Sequence, residues 1–263
     1  MGATGAGCLG TAPEMSGSLG TLRKQGSQEM QEHRFKILLG SILLLMVASP
    51  LLGVLGSGIW SELPRLVMSV LFCLLLVSAV NAVSRQGMPA IIIGVLIILF
   101  LLVVVANHIR PSPALDVVEH GVSVLALGFT SLMILGFVMR RLRVNLDTVA
   151  AALCVYLLLG LAWAALFSLA EIAGPGAFRL PEGGQNMRFG DENSVTAMYY
   201  SFVTLTTLGY GDIVPRSTFA RTLAVMEAII GQLFLVVLVA RLVGLEIAHS
   251  MSRASSGAAR EPS

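Results

Sequence analysis

Long apolar segments limit this chain to one class of fold. A helix rises about 1.5 Å per residue, so crossing a bilayer core of about 30 Å takes about 20 apolar residues. Because lipid cannot hydrogen-bond the backbone, such segments must satisfy their own backbone groups as helices. The sequence therefore predicts an all-α membrane protein with six transmembrane helices, in residues 37–60, 66–83, 88–106, 117–138, 149–172 and 218–246.

The composition agrees with a membrane protein and excludes other classes. Charged residues make up 12% of the chain, whereas a soluble domain has about 25%. The net charge is +2 and the basic residues lie at the ends of apolar segments, so we predict no nucleic-acid partner. The three cysteines lack metal-binding spacing, and the sequence shows no nucleophile–base pair or phosphate-binding loop. We therefore expect neither an enzyme nor a bound cofactor.

A short apolar segment, Val195–Thr206, lies between the fifth and sixth long segments. It is too short to cross the membrane, which predicts a re-entrant helix. A polar stretch rich in Gly and Pro, Ala173–Asn193, precedes it and is interpreted as an outer loop. The C-terminal end of the short helix would point toward the membrane centre, where its partial negative charge favours a cation.

This short segment leads into the heptapeptide TTLGYGD, Thr206–Asp212. Removing water from K⁺ requires a ring of oxygens, and backbone carbonyls supply one when consecutive residues direct them toward one axis. That conformation needs left-handed dihedral angles, which glycine adopts at the lowest cost. Gly209 and Gly211 therefore predict an ion selectivity filter.

The heptapeptide resembles the TVGYG signature of pore-loop potassium channels, with Leu208 in place of valine, and the resemblance covers residues 149–245. It implies that backbone carbonyls and one threonine hydroxyl bind K⁺ as the permeant ion. The four earlier segments resemble the peripheral domain of six-span members only in number and placement. The resemblance assigns the filter to Thr207, Leu208, Gly209, Tyr210 and Gly211, its supports to Thr206, Asp212, Tyr199 and Tyr200, and the cavity to Gln232, Leu235, Val239 and Ala240.

Two residues of the last apolar segment, Glu227 and Gly231, stand out from their apolar neighbours. An acid inside a span is costly and is usually functional or paired, so we predict that Glu227 supports the back of the filter. The sequence offers two kinds of partner, a hydroxyl of the short helix such as that of Tyr199, or Arg221. Gly231 is either an inner-helix hinge or a close packing contact, and the sequence leaves both alternatives open.

The fourth apolar segment carries no Lys or Arg between residues 117 and 138. Moving one charge across the membrane is worth about 2.3 kcal/mol per 100 mV, so this segment predicts weak or absent voltage gating. Asp116, Glu119 and His120 lie together at its start. They are interpreted as an interfacial helix cap, with pH sensing by the histidine as the alternative.

The distribution of basic residues predicts the orientation, because cytoplasmic segments are enriched in Lys and Arg. With both termini inside, the inner side holds Arg23, Lys24, Arg34, Lys36, Arg85, Arg140, Arg141, Arg143, Arg253 and Arg260. The outer side holds Arg65, Arg110, Arg179, Arg188 and Arg216. The domains expected are a disordered cytoplasmic tail (1–36), a four-helix peripheral domain (37–143), a pore domain (144–247) and a short cytoplasmic tail (248–263).

One filter segment cannot surround an ion, so a chain with a single copy predicts a homotetramer with cyclic symmetry. The function expected is passive conduction of K⁺ across a cell membrane. Short tails and an uncharged fourth segment are typical of bacterial members of the family that the heptapeptide resembles. The alternatives are a K⁺ uptake transporter subunit and a non-conducting sensor or regulatory subunit.

Overall fold

The computed structural model describes residues 34–52, 62–83, 88–140, 146–181, 187 and 194–258. Its helices are α1 (Arg34–Leu52), α2 (Glu62–Val83), α3 (Met88–Ile109), α4 (Pro113–Arg140), α5 (Leu146–Ala173), α6 (Ser194–Leu205) and α7 (Thr218–Ala258). A two-stranded antiparallel pair, β1 (Phe178–Arg179) and β2 (Val214–Pro215), joins the loops on either side of α6. The chain is thus an all-α membrane protein apart from this short pair.

Five helices, α1, α3, α4, α5 and α7, are long and apolar enough to cross a membrane by length and composition. The apolar part of α2, Leu66–Ala82, is shorter than these five helices, and the apolar part of α6, Val195–Leu205, is shorter still. The predicted disordered tail falls mostly outside the described residues, although α1 already begins at Arg34. Pro50 and the glycines at 53 and 56 also predict a kink at the end of the first span; Pro50 lies within α1, whereas the two glycines fall outside the described residues.

The helices pack as a sequence of neighbours, with α2 on α3, α3 on α4 and α4 along α5. Helix α5 is the centre of this arrangement, because 61% of its apolar window is buried, against 17% for α7. The short helix α6 packs between α5 and α7. In a single copy of the chain, most of the apolar surface of α7 is therefore not in contact with other helices.

Helix α7 is longer than the sequence analysis predicted. It has 41 residues and ends at Ala258, whereas we expected its end near Glu246. The extension contains helix-forming Ala, Met and Arg, and the first proline after it is Pro262. The polarity that marks the end of an apolar segment does not by itself end a helix.

Short contacts fix the loops that flank α6. The Ala177 carbonyl accepts hydrogen bonds from the backbone N–H groups of Arg216 (2.7 Å) and Ser217 (3.2 Å). The Ser217 side chain accepts a hydrogen bond from the N–H of Ala220 at 3.1 Å and so caps α7. The segment after the heptapeptide is therefore held against the end of α5.

Candidate functional site

The heptapeptide has an alternating backbone. Thr207, Gly209 and Gly211 have φ angles of +58°, +59° and +79°. Leu208 and Tyr210, which separate them, are not among the residues with positive φ. Left-handed residues in alternation with ordinary ones turn successive carbonyls toward the same side, which is the geometry that carbonyl coordination of an ion needs.

The carbonyls of this segment are not used by the fold. Across the part of the chain that the structure describes, those of Thr207, Leu208, Gly209 and Tyr210 accept no hydrogen bond. The side chains of Leu208 and Tyr210 are 55% and 67% exposed. A backbone segment at the depth of a membrane with free carbonyls cannot face lipid, so these groups require water, ions or other chains around them.

Thr207 also adopts left-handed backbone angles, which the sequence did not predict for a threonine. Its N–H donates to the Thr204 carbonyl at 2.9 Å, and the Leu208 N–H donates to the Val203 carbonyl at 2.9 Å. These two bonds around one left-handed residue form a Schellman motif, which ends α6. Glycine usually occupies that position, and a left-handed L-residue costs about 1–2 kcal/mol. The first residue of the alternating backbone is therefore also the C-terminal cap of the short helix.

The hydroxyl of Thr207 contacts a residue of α7. It donates a hydrogen bond to the Thr206 carbonyl at 2.7 Å and accepts one from the Gln232 side-chain amide at 3.2 Å. The Thr206 hydroxyl donates back to the Phe202 carbonyl at 2.6 Å. Gln232, which the resemblance places along a cavity, thus holds the beginning of the heptapeptide.

The other end of the segment is held by α6. The Tyr199 hydroxyl donates to Asp212 Oδ2 at 2.7 Å, and Asp212 Oδ1 accepts from the N–H of Ile213 at 3.0 Å. The rings of Tyr199 and Tyr210 stack with centroids 6.3 Å apart and planes 5° apart. The hydrogen bond from Tyr199 keeps the pKa of Asp212 below its ordinary value, so Asp212 is an anion at neutral pH.

We expect Tyr199→Phe to be less stable than the wild type at neutral pH and to lose less stability on acidification, so that the difference between the two proteins shrinks as pH falls. A carboxyl whose folded-state pKa is lowered contributes stability at neutral pH and loses it as pH falls through the folded pKa, in the range below about 4. Without the Tyr199 hydroxyl the pKa of Asp212 rises toward its ordinary value. Thermal unfolding measured from pH 7 to pH 3 tests this. Tyr156→Phe, whose hydroxyl lies 3.5 Å from the Leu205 carbonyl, is the control and should keep the wild-type profile.

Tyr200 has a different environment from its neighbour. It is 5% exposed and forms edge-to-face contacts with Phe167 of α5 at 4.9 Å and with Phe178 of β1 at 5.2 Å. Phe167 and Phe178 also contact each other at 5.6 Å. These three rings anchor α6 to α5 and to the loop that follows it.

Glu227 is fully buried, and its partner is a hydroxyl of α6 as expected, but it is not that of Tyr199, and Arg221 does not contact it either. Tyr199 bonds Asp212, and the Arg221 side chain donates to the Pro215 carbonyl at 3.2 Å. Instead, Glu227 Oε1 lies 2.6 Å from the Ser201 hydroxyl oxygen in α6. The sequence did not single out Ser201 as the partner of Glu227, because a serine in a short helix is common. Only the tertiary packing brings it against α7.

The contacts of Ser201 indicate the protonation state of Glu227. The Ser201 oxygen is also 2.7 Å from the Gly160 carbonyl, which can only accept a hydrogen bond. One hydroxyl hydrogen cannot serve both contacts. Both are satisfied if Ser201 donates to Gly160 and Glu227, carrying a proton, donates to Ser201. A neutral acid also fits the second oxygen of Glu227, which is buried without a hydrogen-bond partner in the described structure.

Gly231 is a close packing contact in this structure. A Cβ atom at this position would lie 2.6 Å from the carbonyl oxygen of Leu205 at the end of α6. Helices α6 and α7 therefore approach at a point where only glycine fits. The remaining predicted cavity residues, Leu235, Val239 and Ala240, are all exposed on α7.

We expect Gly231→Ala to lower the free energy of unfolding by about 1–3 kcal/mol, because the added methyl group meets a backbone atom. The matched control is Gly244→Ala in the same helix, where an added Cβ meets nothing within 4 Å. Alanine is the better helix former, so the control should be neutral or stabilising. Equal thermal stability of the two variants would reject the packing interpretation and favour a hinge.

The polar residues at the start of α4 form a cluster with α3. The side-chain amide of Asn107 donates to Asp116 Oδ1 at 2.8 Å and to Glu119 Oε2 at 2.9 Å. His120 Nδ1 is 2.8 Å from the Asp116 carbonyl. The helix cap itself is Ser112, whose hydroxyl accepts from the N–H of Leu115 at 3.2 Å, so the acidic residues link two helices instead of capping one.

The described residues contain no group of three or more His, Cys, Asp or Glu side chains placed to hold a metal ion. The two cysteines among them, Cys73 and Cys154, are free thiols. The oxygen ligands that the heptapeptide offers are its row of backbone carbonyls, the Thr207 hydroxyl and the Asp212 carboxylate.

Comparison with known proteins supports an ion channel family. Residues 151–245 match a protein-family model described as an ion channel. The matched segment runs from α5 through α6 and the heptapeptide into α7, and it includes every residue of the site except those of the α4 cluster. Searches of curated proteins and of solved structures return no significant match to the chain.

Proposed function

We propose that this protein is a potassium channel, in which residues 207–211 form the selectivity filter of a homotetramer. The observation that carries the proposal is the alternating backbone at Thr207, Gly209 and Gly211, together with four carbonyls that the fold leaves unbonded. K⁺ is the ion proposed because a ring of such carbonyls can replace its hydration shell. The ion-channel match over residues 151–245 supports the general class.

The incomplete burial of α7 and of the heptapeptide carbonyls supports an assembly of several copies of the chain. Only 17% of the apolar window of α7 is buried, and exposed filter carbonyls in a membrane need partners. Four copies around one axis would place four filter segments face to face and close a ring without a free edge. We therefore propose a homotetramer with K⁺ and the lipid bilayer as its other partners, and no nucleic acid.

The proposed topology has six spans, α1 to α5 and α7, with α6 and the filter entering from the outer side. We place both termini in the cytoplasm, because the basic residues of the sequence are more numerous on that side. Helices α1 to α4 are the proposed peripheral domain. Between residues 117 and 138, α4 has no Lys or Arg, which supports weak or absent voltage gating.

Flux into liposomes that contain the purified protein tests the proposed function. We expect passive K⁺ flux that is selective over Na⁺ and blocked by Ba²⁺. Concentrative uptake that requires a second ion gradient would favour a transporter subunit. The absence of flux from correctly assembled protein, under a range of membrane voltages and pH values, would favour a non-conducting subunit and overturn the proposal.

A further inference from the structure

Gln232 connects α7 to the heptapeptide through its side chain. Its position follows from Gly231, where α7 approaches the end of α6 so closely that a Cβ atom would lie 2.6 Å from the Leu205 carbonyl oxygen. The next residue, Gln232, therefore stands beside Thr207, and its side-chain amide nitrogen lies 3.2 Å from the Thr207 hydroxyl oxygen. Gln232 is exposed in a single copy of the chain, so the packing of a protein core does not account for this contact.

The hydroxyl of Thr207 has one hydrogen to donate and two lone pairs that can accept. The hydrogen is directed to the Thr206 carbonyl oxygen, 2.7 Å away, because a carbonyl can only accept. The side-chain nitrogen of Gln232 can only donate, so it takes one of the two lone pairs. Within the described part of the chain this hydroxyl makes no other hydrogen bond, so one lone pair is left for an ion.

A hydrogen-bond donor and a cation compete for the same oxygen. The amide of Gln232 brings a partly positive N–H group to the Thr207 oxygen and draws electron density from it, so the oxygen becomes a weaker ligand for a cation. A conducting site must bind its ion well enough to admit it and weakly enough to release it. We propose that Gln232 sets the ion affinity at the inner end of the filter by weakening the Thr207 hydroxyl as a ligand. This inference rests on the proposed function, because it takes that hydroxyl as an ion ligand.

Gln232→Met separates this role from a purely structural one by the sign of its effect. Methionine has a similar length and volume but no hydrogen to donate. Ba²⁺ is the probe, because it has nearly the radius of K⁺ and twice the charge and so binds the same oxygens more tightly. We expect Ba²⁺ to block Gln232→Met at a concentration about tenfold lower than the wild type, an effect of the order of one hydrogen bond. If Gln232 only held the Thr207 side chain in place, its loss would weaken the block instead.

A double-mutant cycle tests whether Gln232 acts through Thr207. Thr207→Val keeps the branched shape and removes the hydroxyl, so Gln232→Met should leave Ba²⁺ block unchanged in that background. Thr207→Ser keeps the hydroxyl, so the change of about tenfold should persist there. The matched control is Leu233→Met, since Leu233 follows Gln232 in α7 but faces an apolar groove between α4, α5 and α7. It should be blocked at the wild-type Ba²⁺ concentration.

The measurement is the Ba²⁺ concentration that halves K⁺ flux into liposomes, at one K⁺ concentration and relative to the flux of each variant without Ba²⁺. Unchanged or weaker block in Gln232→Met, or an effect of Gln232→Met that persists in Thr207→Val, would overturn the inference while the proposed function stands. A wild-type protein without K⁺ flux would overturn both, so the two failures are distinguishable. If Thr207→Val does not assemble, the sign of the change in Gln232→Met still decides.

Discussion

Gly209→Ala should abolish K⁺ flux. Gly209 has a φ angle of +59°, and an L-residue in this left-handed conformation costs about 1–2 kcal/mol. In the proposed ring of four subunits this cost would apply four times at one ion site, about 4–8 kcal/mol in all. The substitution meets no steric contact within 4 Å in a single chain, so the expected loss comes from the backbone conformation and from crowding at the axis.

The measurement is K⁺ flux into liposomes at equal protein content, with assembly checked by the mass of the complex. The control is Gly94→Ala in α3, where the residue is helical and an added Cβ meets nothing within 4 Å. It should leave flux unchanged. If Gly209→Ala conducts with wild-type selectivity while remaining assembled, residues 207–211 are not the filter.

Ser201→Ala should destabilise the protein by about 1–3 kcal/mol, the cost of leaving a buried polar group without its partner. Glu227 would remain fully buried and would lose the one hydrogen-bond contact that its carboxyl makes in the described structure. Glu227→Gln should stay close to the wild-type stability. The reason is that a glutamine amide can donate to Ser201 as the protonated acid does, while Ser201 still donates to the Gly160 carbonyl.

The double variant Ser201→Ala with Glu227→Leu makes this prediction sharper. Replacing both partners by apolar groups costs less than stranding one of them, so the double variant should be more stable than Ser201→Ala alone. Ser168→Ala is the matched control, because Ser168 is also a buried serine, and it bonds only the Ala164 carbonyl of its own helix at 3.0 Å. Thermal unfolding in one detergent measures all four variants.

Two results would contradict the proposed pairing of Ser201 and Glu227. In the first, Ser168→Ala is as harmful as Ser201→Ala, which would mean that any serine lost from the core has the same effect. In the second, Glu227→Gln is as harmful as Ser201→Ala, which would mean that Glu227 is ionised and that the hydrogen of Ser201 points to it. Flux measured on the same samples would show whether the contact between Ser201 and Glu227 also affects conduction.

The sequence by itself determined the membrane class and the approximate positions of the helices, because each depends on local properties. A run of apolar residues has to be helical in lipid, and a segment of twelve residues such as α6 is too short to cross. The glycines of the heptapeptide likewise predicted positive φ angles at 209 and 211, since few other residues adopt them.

Only the tertiary structure decided which side chains meet. Ser201, Gly160 and Glu227 lie on three different helices, and no spacing in the sequence relates them. Thr207 takes left-handed angles because it ends α6 by a Schellman motif, a constraint from the helix that outweighs its own preference. Gly231 was ambiguous until its distance to Leu205 was known. Local chemistry fixes the conformation of a segment, whereas contacts between helices depend on packing geometry that a single segment does not contain.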